Sequence, residues 1–479
     1  MACFMKSIIN FFLVLSFFAV LTGCSDSAWD NSPIDDKESS QTAVDISSPK
    51  DWSLASVPAD PTLFPEASLS NDVAYGKNRA LLAWYNVDRL FTQRNSSYAP
   101  GYIKNDGEAL SYPYVREVSI QEIYPYRELN YGESSVIQTL NLSFFPRERG
   151  PYNLDCTDVE QDGYLRYPER RWGGIMRKMD DTNFEQADIK YIRFWLLDPF
   201  MDTELGNLDG GYLYFNLGDV SEDILKDGLM SYENGLPVDD GTTYITPSVW
   251  GRVSNKTPVN YAFDDGGSTR LLQDVGLDGL INNDEFTHST YTNYLSELRY
   301  VLSESTFADM MNNPFSPFND PACDNYLYYL SNYYDSMHAS IIERYKHYNG
   351  TDGNSLPIRY ANDAQYQMGR TTPDTEDIND DNTLNEDERF FQYCVAIHPD
   401  SLTVGKNYIT DMHIINVHTR NGKTQETTWY QFTIPLQEYQ KKNGSIQDFS
   451  NIRFMRIYMT GFKGTTHLRF ATLELVRGE

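Results

Sequence analysis

The stretch from Asp377 to Glu388, DINDDNTLNEDE, puts oxygen-bearing residues where a hard cation needs them. Counted from Asp377, side-chain oxygens fall at positions 1, 3 and 5 (Asp377, Asn379, Asp381), a backbone carbonyl at 7 (Thr383) and Glu388 at 12. That is the spacing of an EF-hand-type calcium loop. Calcium gathers its oxygens at about 2.3–2.6 Å, and this spacing curls them inward. Position 6 carries Asn382 in place of glycine, and Asn tolerates the left-handed conformation the turn demands. The following residues, Arg389 to Ala396, read as a strand, so an isolated loop is expected and not a paired EF-hand. The competing reading is an acidic surface loop without metal. A weaker copy runs from Asp274 to Glu285. Asp274, Asp278 and Glu285 take positions 1, 5 and 12, the Leu280 carbonyl takes position 7, and Gly279 supplies the turn. Its position 3 is Gly276, which offers no side-chain oxygen, so a calcium site and a metal-free turn stand as equal readings. The expected cofactor in both loops is calcium, holding loops together without taking part in chemistry.

Other constellations carry less. Histidines at 288, 338, 347, 398, 413, 418 and 467 form no HExxH, and no GxSxG elbow, phosphate loop or dinucleotide fingerprint occurs. Among 68 acidic residues, carboxylate pairs arise by number alone, so a glycosidase dyad is not readable. Trp84, Trp172 and Trp195 are candidates for stacking on sugar if exposed, and for a sandwich core if not. No enzyme is expected.

The elements that would position these residues follow from pattern. The chain has 479 residues, a net charge of −29 and 14% aromatics, 35 of them tyrosine. High aromatic content argues for a folded body, and the acidity disfavours nucleic acid as a partner. Near the N-terminus, Lys6 precedes an apolar run from Ile8 to Leu21, too short for a comfortable span. Leu21-Thr22-Gly23-Cys24 then fits a lipobox, with Cys24 as the lipidation site; an uncleaved anchor and an ordinary signal peptide are the alternatives. Two or three acyl chains hold a protein on a membrane where one is marginal. Of the other cysteines, Cys156, Cys323 and Cys394 belong to the body and form no CxxC, so neither a zinc site nor a disulfide framework is indicated.

The expected organisation is a signal peptide over 1–23, a flexible acidic tether over 24–60 and a β-sandwich region over 61–285. A helical insertion over 286–350 and a calcium-type loop with C-terminal strands over 351–479 complete it. Strands are predicted over 136–145, 189–197, 212–217, 408–417, 428–434, 452–459 and 468–476, from β-branched and aromatic runs. A short helix is predicted over Ser221 to Lys226. Tyr291, Leu295, Leu298 and Leu302 recur at helical spacing. A second helix is read from Leu327 through Leu330, Tyr334, Met337 and Ile341 to Tyr345, with Asp324 as its cap and Asn349-Gly350 as its stop. An echo between NFEQADIKYIRFWL and QDFSNIRFMRIYM suggests equivalent strands of two sandwiches or paired strands of one. The fold class is mainly β, with jelly-roll-like β-sandwich modules and a helical insertion.

Several long phrases, in order, resemble one family. They are FFPRERGPYN (144–153), RWGGIMR (171–177), DIKYIRFWLLDPF (188–200) and NDVAYGKNRALLAWYNVDRLF (71–91), with GGYLYFNLGDVSEDILKDG (210–228), ENGLP (233–237) and VWGRV (249–253). DVGLDGL (274–280), DINDDNTLNEDE and the segment 446–479 continue the series. Together they resemble the SprA/Sov family, the outer-membrane translocon of type IX secretion and gliding motility, over roughly residues 51–479. Taken with the lipobox at Cys24, the resemblance implies an outer-membrane lipoprotein of the cell envelope, facing the periplasm or the surface, whose partners are other type IX secretion or gliding components. The family's large β-barrel needs repeated amphipathic strands of about ten residues, which this chain lacks. A separate barrel chain is therefore an expected partner, and part of a split translocon, an accessory paralogue and a gene fragment all remain open. A surface glycan-binding lipoprotein on jelly-roll modules is the alternative function.

Overall fold

The computed structural model describes residues 43–93, 96–238, 244–264, 268–356 and 369–478. Cys24, the signal segment 1–23 and the tether up to residue 42 lie outside the described residues.

Thirteen strands form the two main sheets: β1 (Ala43–Asp45), β2 (Ser53–Leu54), β3 (Ala80–Tyr85), β4 (Leu140–Arg149), β5 (Trp172–Lys178), β6 (Ile189–Leu197), β7 (Gly211–Asp219), β8 (Arg389–Ile397), β9 (Ile409–His418), β10 (Thr424–Pro435), β11 (Lys441–Asn443), β12 (Phe454–Thr460) and β13 (Thr466–Arg477). The seven-stranded sheet runs β9-β10-β6-β13-β4-β3, with β1 also on β13. The six-stranded sheet runs β11-β8-β7-β12-β5-β2. All main-sheet pairings are antiparallel. The chain crosses repeatedly between the sheets, so neither is completed by one half of the sequence.

The pleat explains the patterns. In β6, Ile192, Phe194 and Leu196 join the inner core, while Trp195 and Leu197 join a second cluster on the outer face with Tyr114, Trp429 and Ala471. A strand buried on both faces reads as a continuous apolar run. The Phe194 and Phe215 rings meet across the sandwich at 5.7 Å. The RWGGIMR phrase supplies most of β5. A Cβ on Gly173 would stand 2.8 Å from that of Leu82, so glycine lets the sheets approach there.

Several expectations need correction. The tether ends before residue 43: Ala43 pairs opposite Val476, and Ile46 and Trp52 are fully buried. The two echo segments lie in one sandwich, but β6 and β12 belong to opposite sheets and do not pair. No helix forms over Ser221 to Lys226; the Ser221 hydroxyl accepts the Asp223 N–H in a local turn and Lys226 turns left-handed at φ 54°. The helix Ser289–Val301 buries Tyr291, Tyr294 and Leu298. The second predicted helix is two short ones, Asn332–Ser336 and Ile341–Tyr345, each capped by its own serine (Ser331, Ser340) and separated by His338 at φ 51°.

β7 and β8 are neighbours, with Asp219 opposite Arg389. The whole segment 220–388 is thus one connection between adjacent strands, in place of the boundaries expected at 285 and 350. Part of it packs on the outer face of the six-stranded sheet, where Trp172, Tyr214, Phe390, Phe454 and Tyr458 share a cluster with Val220, Ile224, Leu225, Trp250, Leu277, Leu280 and Tyr291, while Leu330, Ile341 and Tyr345 pack with Ala83 and Tyr85 of β3.

Candidate metal centre

Three segments of the 220–388 connection converge at Asp352. Isolated β-bridges join Asp352 to Val275 and to Asn325. The Asp352 carbonyl accepts the Tyr326 N–H at 2.9 Å, and the Asp324 carbonyl accepts the N–H groups of Thr351 and Asp352 at 2.7 and 3.0 Å. This backbone framework brings Glu285, Asp324 and Asp352 together, each offering a carboxylate oxygen within 4.8 Å of the others.

Glu285 is fully buried on the short helix Asn282–Glu285. Its Oε2 accepts the Ala322 N–H at 3.0 Å, and its Oε1 has no hydrogen-bond partner. Asp324 Oδ2 accepts the Tyr152 hydroxyl at 2.7 Å, and Oδ1 has no partner. Tyr152 comes from the sandwich and its hydroxyl also accepts the Leu277 N–H at 3.0 Å, which fixes the connection to the sheets. Asp278 and Asp320 stand close by. Asp278 accepts the Leu280 N–H and the Tyr291 hydroxyl, and Asp320 accepts the N–H groups of Asp324 and Asn325.

Burial and like charge dominate the electrostatics. Burial, then Asp278, Asp324, Asp320 and Asp352, pushes the Glu285 carboxyl up to about 12. The same causes hold Asp278, Asp320 and Asp352 well above the usual carboxylate range. Asp324 rises only to about 6: burial raises it, while the hydrogen bonds from Tyr152 and Thr351 pull it back. A cavity of about 400 Å³, lined in part by Asn282, Asn325 and Asp352, opens beside the group. Oδ1 of Asn282 is another buried oxygen without a partner.

The loop 274–285 therefore divides its residues. Glu285 enters the three-carboxylate group. Asp278 spends both oxygens on the Leu280 N–H and Tyr291. Asp274 turns to a neighbouring acidic group with Glu233 and Asp374, accepting the Ser355 N–H at 2.9 Å. Leu280 is buried in the apolar cluster under the sheet. Position 3, Gly276, has φ 80°, and a Cβ there would lie 2.3 Å from Asp324 Oδ2. Asp324, from another segment, thus places a carboxylate oxygen next to Gly276.

The loop 377–388 holds itself differently. Asp377 accepts the N–H groups of Asp381 and Asn382 and the Tyr261 hydroxyl, and Asn379 accepts the Asp381 N–H. Asp381 accepts the N–H and hydroxyl of Thr383. Asn382 sits at φ 62°. Glu388 lies apart from these, gripped by Arg456 at 2.8 and 2.9 Å and by the Ser221 N–H at 3.1 Å.

Sequence reading missed Asp324 and Asp352 as members of a site. The first was taken as a helix cap. The second lies two residues after the Asn349-Gly350 helix stop, in the turn-forming run Thr351-Asp352-Gly353. The aspartates at 320 and 324, four apart in a stretch with no helix, were the available signal.

The nearest approach to a catalytic array is Ser143, whose hydroxyl meets His467 Nδ1 at 2.8 Å and the Tyr85 hydroxyl at 2.9 Å. Ser143, Tyr85 and His467 are all buried, so the trio serves as a core hydrogen-bond network. Trp84, Trp172 and Trp195 are at most 5% exposed, which removes them as a sugar-stacking surface.

Residues 293–479 match the SprA N-terminal family model, described as motility related/secretion protein. No curated protein matches the chain. The matched part contains β8 to β13, yet β6 lies between β10 and β13, and β12 lies between β7 and β5. The matched residues thus need the strands before them to complete either sheet. Residues 293–479 of this chain thus resemble the SprA N-terminal type, a family described as related to motility and secretion.

Proposed function

We propose that this chain is a non-catalytic, lipid-anchored protein of the outer membrane that acts in type IX secretion or gliding through contacts with other components, a separate barrel chain among them. The observation that carries this reading is the family match over 293–479. The interleaving of those strands with the N-terminal ones extends it, because a sandwich whose sheets are shared folds as one body. Cys24 supplies the anchor and the acidic residues after it the tether. Among the described residues no helix is long and apolar enough to cross a membrane, so attachment by lipid is the proposed route.

The test is to tag the chain, solubilise the native outer membrane gently and identify what co-purifies, with secretion and gliding measured in a deletion strain. Recovery of a barrel-containing SprA-like chain or of type IX components, with a secretion or gliding defect, is the expected result. Recovery of the chain alone, with both processes intact, overturns the reading. A Cys24→Ser variant is expected to leave the membrane fraction.

A further inference from the structure

We propose that Glu285, Asp324 and Asp352 form a calcium site that closes three segments of the 220–388 connection around one ion. The proposal stands on geometry and is independent of the secretion reading.

The oxygens are spaced for it. Three carboxylate oxygens within 4.8 Å of one another can all reach one calcium ion, since ligands on opposite sides of it stand about twice 2.4 Å apart. The donors are all oxygen, with no imidazole or thiolate in the group, which suits a hard cation.

Unpartnered oxygens are the second, independent observation. Glu285 is 0% and Asp324 1% exposed, and each keeps one carboxylate oxygen with no hydrogen-bond partner. A buried acceptor left unpaired costs about 1–3 kcal/mol, more if charged, so two of them in one group need an explanation. Protonation neutralises the metal-free carboxyls but supplies no cation, and calcium titration distinguishes the two states. Basic side chains supply none either: among the described residues no Lys or Arg forms an ion pair with Asp278, Glu285, Asp320, Asp324 or Asp352. Elsewhere in this protein buried carboxylates have either such partners, as in Arg171–Asp155 and Arg116–Glu122, or several backbone N–H donors, as Glu376 has. A divalent cation supplies the missing positive charge and pairs the free oxygens together.

The surroundings agree. Gly276 leaves the space that Asp324 occupies. Asn282 stands three residues before Glu285 on the same short helix, has its Oδ1 buried and unpartnered, and lines the same cavity as Asp352. The cavity beside Asn282 and Asp352 provides entry for the ion and room for water in its shell.

The experiment uses the purified full-length mature chain, stripped with chelator and titrated with calcium chloride by calorimetry, with thermal unfolding alongside. The expected result is a saturable calcium site that raises Tm by several degrees and prefers calcium to magnesium. Glu285→Gln and Asp324→Asn should each weaken it by more than about tenfold, since each removes a charged ligand. Both variants should unfold in chelator no earlier than the parent, because they relieve like-charge crowding. An Asp377→Asn/Asp381→Asn chain should keep the site. Absence of saturable binding at millimolar calcium, or loss of binding only in the 377/381 chain, overturns the proposal. If the first two variants fail to fold, terbium luminescence on the 377/381 chain decides. Tyr152 touches Asp324 and would sensitise a bound lanthanide, so emission displaced by calcium supports the site and its absence overturns it.

Discussion

The sandwich and the long connection bury charged groups in opposite ways. In the loops and strand ends around the sandwich, carboxylates face arginines. Arg456 grips Glu388, Arg171 grips Asp155 and Arg116 grips Glu122, with the arginine almost fully buried in each pair. In the connection 220–388, buried carboxylates face backbone N–H groups. Glu376 accepts those of Ile224, Leu225 and Ser231; Glu233 accepts those of Val275, Gly276 and Asp374; Glu222 accepts those of Ile378, Asn379 and Asn385. The physical reason is the backbone. Beside the strands most N–H groups are spent in ladders, so a carboxylate there takes one or two local N–H groups and leans on an arginine. An irregular connection leaves N–H groups orphaned, and a carboxylate that accepts two or three of them takes the place of a ladder.

The contrast predicts where a mutation costs most. Arg456 is fully buried on β12 and holds Glu388 with two nitrogens, Asn216 Oδ1 at 2.9 Å and the Ser56 hydroxyl at 3.2 Å. Arg456→Met should cost about 3–5 kcal/mol, because it strands Glu388 without a counter-charge. Urea unfolding of the whole chain measures this, and a loss below about 1 kcal/mol would mean that Glu388 is already paired by something else. Glu376→Ala should cost about 1–3 kcal/mol, with a different signature. Hydrogen exchange should quicken at residues 224–231 while β6, β12 and β13 keep their protection. Equal loss in both regions would mean that sandwich and connection unfold as one unit.

The same contrast explains what was legible in the sequence. β6 and β8 were readable within a residue or so because a strand buried on both faces is apolar throughout, and the turn-forming Asp198-Pro199 ends β6. The mainly β class followed from such runs. The connection was misread because its order comes from side chains acting across long separations. Ser221 looked like a helix cap because serine before an acidic stretch is a cap signal; here the nearby N–H groups go to Glu376, some 150 residues away, and no helix is needed. Asp324 looked like a cap for the same reason. Its true neighbours, Glu285, Asp352 and Tyr152, are distant in sequence, and no local spacing rule joins them. Glu285 was found because it sits at position 12 of a loop, although the loop alone does not complete the site.

Acid sharpens the comparison. His467 lies in the sandwich against Ser143 and the rings of Tyr114 and Phe145, and burial lowers it from 6.5 to about 4. Its folded value is below its unfolded one, so the neutral imidazole contributes stability that is complete above pH 6.5. That contribution declines as pH falls from 6.5 towards 4 and is gone below it. Between pH 6.5 and 5 the loss should be about 1–2 kcal/mol, at roughly 1.4 kcal/mol per unit. His467→Gln should remove this slope. The measurement is the difference between parent and variant urea midpoints at several pH values, since carboxylates common to both cancel. Parallel pH profiles would mean that His467 titrates normally.

The smallest effect tests whether the connection is a separate cooperative unit. Asn382 sits at φ 62° and its N–H donates to Asp377 Oδ2 at 2.8 Å. Asn382→Gly keeps that conformation open and should change stability by less than about 0.5 kcal/mol. Asn382→Val puts a β-branched side chain where L-residues crowd the carbonyl, at a cost of about 1 kcal/mol. If the connection opens independently, that cost appears as faster exchange at residues 377–385 with an unchanged urea midpoint for the sandwich. If instead the midpoint falls by the full amount, the loop is coupled to the sheets. The route would be Glu388, the last residue of the loop, which is bound to the fully buried Arg456. Combining Asn382→Val with Arg456→Met separates the cases: independent units give additive losses, while coupling through Glu388 makes the second loss smaller than the first measured alone.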